Sequence, residues 1–244
     1  MAHTFHDLNI HSKAGEGKNS VEEIAERAEL LDIDRIAICN TLNGYHEVEE
    51  LKNSIGELDT TVNVHPGVRI KAEDTKELKD QLSAYRDSVD VIVVDGGDED
   101  INRAACEDSR VDILSHPEYK RKDQGIDHVI AKKAAKNRVA IEINFRTVLN
   151  TYRKVRSQIM HHMKQNVKLA RKYHAPLILN SGAKRIEELR KPRDTVGFAC
   201  SLGLNLSEAF KLVEGNPAQI IQRATETHSE NQVRPGIEVE KDES

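Results

Sequence analysis

A regular alternation of two kinds of segment restricts the fold of this chain more than any other feature of its sequence. Short runs rich in β-branched residues alternate with longer segments whose apolar residues recur at helical spacing. The runs predict seven strands, at Phe5–Ile10, Arg35–Cys39, Thr61–Ile70, Val89–Val94, Val111–Leu114, Arg138–Ile143 and Pro176–Leu179. Because the runs are continuously apolar, they are typical of strands buried on both faces of a parallel sheet. Seven evenly spaced strands with intervening helices favour a closed or nearly closed barrel over an open sheet.

The helical segments and the chain length predict one domain. Helices are predicted to begin near Ser20 and to cover Glu47–Ser54, Thr75–Ala84, Ile101–Glu107, Ile126–Lys136, Tyr152–Tyr173, Thr195–Leu202, Ser207–Glu214 and Asn216–Arg223. A chain of 244 residues is long enough for a single (β/α) barrel, and no linker rich in Gly, Pro or Ser divides it. We therefore predict an α/β, TIM-barrel-like domain over residues 1–224. The polar, acidic residues 225–244 predict a disordered C-terminal tail.

Composition and cysteine content exclude several classes of protein. The chain is 38% hydrophobic and 32% charged, which is too apolar for disorder throughout. It has neither an apolar run long enough to span a membrane nor the pattern of a secretory signal at its start. Cys39, Cys106 and Cys200 are widely separated and odd in number, which fits neither a disulfide framework nor a zinc site. We expect a protein of the reducing cytoplasm without a membrane partner.

The net charge of −5 conceals a strongly basic segment. Residues 120–193 contain twenty Lys and Arg but only five Asp and Glu, a formal charge of +15, and the rest of the chain therefore carries −20. Attraction to a polyanion depends on the local field rather than on the total charge. The segment predicts a cationic surface, although basic side chains on solvated helix faces, paired with acids from elsewhere, are the alternative interpretation.

Polar residues stand at the carboxyl ends of the predicted strands, where barrel enzymes place their working groups. They are Asn9, His11, Asn40, Arg69, Asp95, His116, Glu142, Asn144, Asn180 and Ser181. These residues predict a polar ring at one end of the barrel. The alternative is that polar groups simply end each strand and bind water.

Five motifs at these strand ends resemble the polymerase-and-histidinol-phosphatase (PHP) superfamily of metal-dependent phosphoesterases. The motifs are Asp7–Ser12, Ile36–Asn40, His65–Arg69, Asp112–Pro117 and Asn180–Lys184. The resemblance implies a distorted, PHP-like barrel with a metal site formed by strand-end residues. At the positions that the family uses for its metal ligands, this chain has Asn9, His11, Asn40, Arg69, His116, Gly182 and Lys184. Only His11 and His116 match the family pattern.

This degenerate set is a poor metal site. A cluster of divalent ions needs carboxylates and neutral imidazoles to offset its charge. Arg69 and Lys184 instead add positive charge where metal ions would bind. We therefore expect a barrel that has lost its metal ions, with no cofactor and no catalytic residue on this chain.

Motifs in the second half of the chain are more specific. Lys120–His128, Ala140–Leu149, Leu179–Ala183 and Arg190–Asp194 together resemble the family of archaeal ribonuclease P protein component 3, the counterpart of the thirty-kilodalton eukaryotic subunit. The resemblance implies a protein subunit of the ribonucleoprotein that removes the 5′ leader of precursor tRNA, in which the RNA subunit with bound Mg²⁺ carries the chemistry. It also implies four kinds of partner, namely the RNA, protein component 2 in a two-plus-two assembly, other protein subunits, and precursor tRNA as substrate.

Basic residues that follow the fifth, sixth and seventh strands are the candidate RNA-binding residues. They are Arg121, Lys122, His128, Arg146, Arg153, Arg156, Lys184, Arg185, Arg190, Lys191 and Arg193. Arginine binds phosphate through two parallel hydrogen bonds, which suits a folded polyanion. Few aromatic residues lie among them, so recognition of the backbone and shape of structured RNA is expected rather than base stacking.

Two enzymatic alternatives remain open at this point. A metal-dependent phosphoesterase of PHP type could use a reduced ligand set of His11, His116 and Glu142. A barrel enzyme could instead bind a small phosphorylated substrate through Arg69 and Lys184.

Overall fold

The computed structural model describes residues 3–227, 232–234 and 237–238. Seven strands form one sheet in chain order with every neighbouring pair parallel, as β1 (His6–Ile10), β2 (Arg35–Asn40), β3 (Asn63–Ile70), β4 (Val91–Asp95), β5 (Ile113–Ser115), β6 (Ala140–Asn144) and β7 (Leu177–Asn180). Each strand lies within two residues of its predicted bounds. The predicted fold class, an α/β barrel of seven parallel strands, is confirmed.

Helices connect the strands and cover the outside of the sheet. They are α1 (Val21–Leu30), α2 (Tyr45–Gly56), α3 (Thr75–Tyr85), α4 (Glu99–Glu107), α5 (His128–Asn137), α6 (Phe145–Leu149), α7 (Arg153–Tyr173), α8 (Pro192–Ser201), α9 (Leu206–Val213) and α10 (Gly215–Thr227), with a 3-10 turn at Ile186–Glu188. The predicted start of α8 at Thr195 is wrong by three residues. Pro192 occupies the first turn of α8, where proline costs no hydrogen bond and its fixed φ is helical.

The barrel is nearly closed, because polar groups bridge the gap between β1 and β7. The Leu8 amide donates to the side-chain oxygen of Asn180 at 2.9 Å, and the His11 amide donates to the Ala183 carbonyl at 2.9 Å. These bonds take the place of a regular ladder between the two edge strands. They also bring the residues that follow β1 next to those that follow β7.

Helix α10 closes the amino end of the barrel. Its Ile220 and Ile221 pack against the apolar residues inside the barrel, which come from all seven strands except β3. At the same end, Asp112 accepts from Arg86 at 2.7 Å and from Arg223 of α10 at 3.4 Å. The carboxyl end has no equivalent helix among the described residues and opens into a pocket.

The C-terminal region is described only in part. Helix α10 continues to Thr227, and residues 232–234 pair with residues 237–238 in an antiparallel ladder. The other residues of the predicted disordered tail, 225–244, lie outside the described ranges, so its disorder stays a prediction. Within the described part of the chain, no helix is both long and apolar enough to cross a membrane.

Candidate functional site

A pocket of about 660 Å³ lies at the carboxyl end of the barrel. Parallel strands end there together, so side chains that follow different strands meet. Its lining includes the charged and histidine side chains of His11, Glu16, Arg69, Asp95, His116 and Lys184. Five residues of the predicted polar ring line this pocket, namely His11, Arg69, Asp95, His116 and Asn144, whereas Asn9, Asn40, Glu142, Asn180 and Ser181 do not.

The guanidinium of Arg69 is the centre of this pocket. Its Nε donates to Asp95 Oδ1 at 2.5 Å and its Nη2 donates to Asp95 Oδ2 at 2.8 Å, a bidentate pair. Nη1 donates to Glu16 Oε2 at 3.0 Å. Arg69 lies at the carboxyl end of the barrel, and carboxylates from two other segments offset its positive charge.

The two histidines that match the PHP pattern face the same guanidinium. His11 Nδ1 donates to the Cys39 carbonyl at 2.6 Å, which leaves Nε2 as an acceptor 3.4 Å from Arg69 Nη1. His116 Nε2 lies 3.5 Å from Arg69 Nη2. Burial and then the Arg69 charge hold the pKa of His11 well below its usual range, and burial lowers the pKa of His116. His11 therefore presents an acceptor to the arginine, whereas His116 Nε2 lies between Arg69 Nη2 and Asp95 Oδ1, which is 3.6 Å away.

The amides that replace metal ligands have structural partners of their own. Asn40 Oδ1 accepts from the Ser12 amide at 2.9 Å, and its Nδ2 donates to Ser12 Oγ at 2.8 Å. Gly182 has a left-handed φ of 64° and packs against the side chain of Asn144, so it supplies a turn and no ligand. Over the ranges that the structure describes, no three His, Cys, Asp or Glu side chains are placed to hold a metal ion. The residues do not fit the metal cluster of the PHP family.

Glu142, the third ligand in the phosphoesterase alternative, is fully engaged. Its carboxylate is buried and accepts from Asn9 Nδ2 at 2.9 Å, Asn180 Nδ2 at 2.7 Å and Asn144 Nδ2 at 3.0 Å, and also from Ser115 Oγ. Four donors occupy the lone pairs that a metal ion would need. The observed contacts of Glu142 are therefore those of a structural hydrogen-bond centre inside the barrel.

Glu16 is a pocket residue that sequence reasoning missed. It lies in the loop between β1 and α1, and its carboxylate contacts Arg69, Lys71 and Lys184. The signal in the sequence is weak, because Glu16 follows no predicted strand directly and carries no motif of its own. A glycine on each side, Gly15 and Gly17, is the one local sign that this loop approaches another part of the chain closely.

The eleven predicted RNA-binding residues all lie in three segments, β5–α5, β6–α7 and β7–α8, each of which starts at the carboxyl end of its strand. We call this set the basic rim. Contacts join the last two segments, because Arg146 Nε donates to Glu188 at 3.1 Å and the Arg190 guanidinium lies 5.6 Å from the centroid of the Phe145 ring. All three segments thus lie at one end of the molecule, and direct contacts join the second to the third.

Members of the basic rim differ in exposure. Lys122, His128, Arg153, Arg185, Lys191 and Arg193 are exposed. Arg121, Arg146, Arg156, Lys184 and Arg190 are half-buried. Arg121, for example, is only 19% exposed and donates two hydrogen bonds to Asp123. The exposed Lys and Arg side chains have their charge available to a partner, whereas the half-buried group also holds loops together.

Comparison with known families decides what kind of protein carries this barrel. The family model described as RNase P subunit p30 matches residues 4–229. The chain belongs to this family. Ribonuclease P protein component 3 of Methanosarcina barkeri is 35% identical over 235 residues, covering 96% of this chain and 95% of that protein. The component 3 protein of Methanocaldococcus jannaschii is 37% identical over 199 residues, covering 82% and 83%.

Solved structures agree with the family match. A chain in a cryo-EM structure of archaeal ribonuclease P with mature tRNA has a TM-score of 0.81 and 31% identity, covering 98% of this chain and 99% of that chain. A Xaa-Pro dipeptidase with bound methionine, at a TM-score of 0.56 and 13% identity over 90% of this chain and 75% of that chain, shares the fold alone. The family member described here is a protein subunit of ribonuclease P, and the phosphoesterase alternative is not favoured.

Proposed function

We propose that this chain is an RNA-binding subunit that supports the catalytic RNA of ribonuclease P during removal of the 5′ leader from precursor tRNA. The chemistry belongs to the RNA with bound Mg²⁺, and this chain supplies no catalytic residue. The basic rim is the RNA-binding surface. It contacts phosphates and the shape of a folded RNA rather than individual bases.

One observation carries this proposal: the six exposed basic-rim residues follow three adjacent strands at a single end of the barrel. A cluster of exposed cationic side chains at one end produces a local field although the net charge is negative. Each phosphate neutralised by such a surface releases counterions, so affinity for RNA should fall steeply with salt. The family match supports the same conclusion.

The partners follow from the family. We propose that the chain assembles with ribonuclease P RNA, with protein component 2 in a two-plus-two complex, and with the other protein subunits, in the cytoplasm. Precursor tRNA is then the substrate of the complex rather than of this chain. The similarity to a chain from archaeal ribonuclease P with mature tRNA supports this placement.

Charge reversal at one exposed residue from each rim segment tests the RNA-binding surface. The variant combines Lys122→Glu, Arg153→Glu and Arg193→Glu, none of which makes an ion pair recorded in the described structure. We expect its affinity for ribonuclease P RNA to fall at least ~100-fold at low salt, because three phosphate contacts become repulsive. The magnitude of the slope of log affinity against log salt should decrease at the same time. Filter binding over a salt series measures both.

A matched control separates position from total charge. Lys136→Glu, Lys164→Glu and Lys168→Glu make the same change of charge at exposed residues of α5 and α7, outside the basic rim. This control should keep RNA affinity within about threefold of the wild type. Equal losses in the two triple variants would contradict the assignment of the surface, since RNA would then respond only to the total charge. Reconstituted cleavage of precursor tRNA should follow the same order.

A further inference from the structure

Three cationic side chains in the pocket converge on one carboxylate. Glu16 Oε2 accepts from Arg69 Nη1 at 3.0 Å and from Lys184 Nζ at 2.5 Å, and its other oxygen pairs with Lys71 Nζ. These cations come from β3, from the residue after β3 and from the loop after β7. Glu16 itself belongs to the loop between β1 and α1, which is a different segment from those that carry the three cations.

The charges around this carboxylate are not balanced. Arg69, Lys71 and Lys184 contribute three positive charges, and Asp95 offsets one of them through its bidentate pair with Arg69. Two positive charges then remain for a single carboxylate. A phosphate monoester carries up to two negative charges at neutral pH and offers three acceptor oxygens, so it matches the three donors better than Glu16 does.

The backbone that carries Glu16 is fixed, while its side chain borders open space. The Gly17 amide donates to the Ser12 carbonyl at 2.9 Å, and the Lys18 amide donates to the Lys184 carbonyl at 2.8 Å. A Cβ atom on Gly17 would overlap the His11 carbonyl, so only glycine permits this close approach. The Glu16 side chain is half-buried and lines the 660 Å³ pocket. Rotation of this side chain alone would remove its carboxylate from the three cations.

We propose that Arg69, Lys71 and Lys184 form a binding site for a phosphate monoester, in which the Glu16 carboxylate occupies the place of the anion until a ligand displaces it. The ligand chemistry is a terminal phosphoryl group, carried either by an RNA 5′ end or by a small phosphate ester. The site is separate from the six exposed residues of the basic rim. Loss of RNA binding by the rim variant would therefore leave this proposal standing, and the reverse also holds.

Removal of the Glu16 charge is the direct test. Inorganic phosphate is titrated into the full-length chain at pH 8 and low salt, with isothermal titration calorimetry as the measurement. Glu16→Gln should bind phosphate at least ~10-fold more tightly than the wild type, because a negative charge next to the ligand is removed. Glu16→Gln combined with Lys71→Gln should lose that gain, since one of the three cations is missing. Lys71 is chosen because it is not part of the basic rim.

The matched control is Glu26→Gln, which removes one negative charge at an exposed position of α1. Its phosphate affinity should equal that of the wild type. Glu16→Gln that binds phosphate no more tightly than Glu26→Gln would overturn the proposal. Circular dichroism melting of each variant identifies any that fails to fold.

A measurement on the wild type needs no variant. In crystals grown with inorganic phosphate, anion density should lie between Lys71 and Lys184, with the Glu16 side chain rotated away. Glu16 still paired with all three cations at saturating phosphate would contradict the proposal.

Two further ligands identify the source of the phosphoryl group. A short oligoribonucleotide with a 5′ phosphate is compared with the same oligoribonucleotide ending in a 5′ hydroxyl, using Glu16→Gln. Tighter binding of the phosphorylated form than of both the 5′-hydroxyl form and inorganic phosphate supports an RNA 5′ end as the ligand. Equal affinity of the phosphorylated form and inorganic phosphate supports a small phosphate ester. Absence of binding by both phosphate-bearing ligands would overturn the site.

Discussion

The two ends of the barrel are packed in different ways. At the amino end, α10 covers the barrel, and its Ile220 and Ile221 continue the apolar interior. At the carboxyl end, loops leave a pocket that is lined by an arginine, two histidines and carboxylates. The amino end is closed by apolar burial with one charged cluster beside it, Asp112 with Arg86 and Arg223, whereas paired charges occupy the centre of the carboxyl end.

The difference shows how one arginine can organise the carboxyl end of the barrel. Arg69 holds Asp95 through two hydrogen bonds and faces both His11 and His116. The guanidinium thus gathers a carboxylate and two imidazoles at one point. At the amino end, the apolar side chains of α10 contact the barrel interior directly.

The largest stability effect should come from the charged end. Arg69→Met removes the guanidinium and leaves Asp95, which is only 16% exposed, without its bidentate partner. We expect the free energy of unfolding to fall by about 3–5 kcal/mol, as measured by urea denaturation. Arg69→Lys keeps the charge and should lose less, although it cannot form the bidentate pair. A fully stable Arg69→Met variant would mean that the carboxyl end is not held by this pair.

A somewhat smaller effect is expected at the apolar end. Ile220→Ala leaves a cavity between α10 and the barrel interior, and should lower the free energy of unfolding by about 2–3 kcal/mol. Because Ile220 lies at the opposite end from the pocket, its replacement should not change phosphate affinity measured in the Glu16→Gln background. A change in that affinity would show that the two ends are coupled.

Counted per pH unit, the smallest effect is a dependence of stability on pH at Glu118, which follows β5. Glu118 is buried, and this burial raises the pKa of its carboxyl group to about 8 from an ordinary value of 4.5. The folded chain therefore keeps a proton that the unfolded chain releases, and this contribution to stability is lost as the pH rises from 4.5 through 8. The Glu118→Gln side chain cannot release a proton. Within this window the free energy of unfolding should therefore fall less steeply with pH in the variant than in the wild type, and the two slopes should differ by about 1.4 kcal/mol per pH unit.

Urea denaturation at several pH values between 5 and 8.5 measures this slope. Glu26→Gln, at an exposed position of α1, is the control and should retain the slope of the wild type. Identical slopes for Glu118→Gln and the wild type would mean that Glu118 is ionised in the folded chain.

The strands could be predicted because each depends on a local pattern. A run such as Val91–Val94 is apolar and β-branched at every position, which is typical of a strand buried on both faces. Helix starts were harder, as Pro192 and α8 show, because capping depends on backbone geometry over a few residues. The short helix α6 was missed, since five residues are too few for a helical period to appear.

The candidate site could be predicted only in part. Arg69, His11 and His116 were recognised because each follows or ends a strand within a motif. The partners of Arg69 could not be predicted, because Glu16 belongs to a loop and the distance from Glu16 to Arg69 depends on how β1 and β3 are arranged around the barrel. Arg121 was assigned to RNA, and the structure adds that its guanidinium is paired with Asp123, a contact two residues away that spacing alone did not single out.

The sequence by itself determined the barrel, the absence of a PHP ligand set and the basic character of residues 120–193, because these are properties of residue type and local period. Only the tertiary structure decided which charges meet. Barrel closure brings the loop after β1 against the residues that follow β3 and β7, so Glu16 reaches Lys71 and Lys184 across more than 50 residues of sequence. Electrostatic interactions depend on distance in space, and the folded barrel sets that distance.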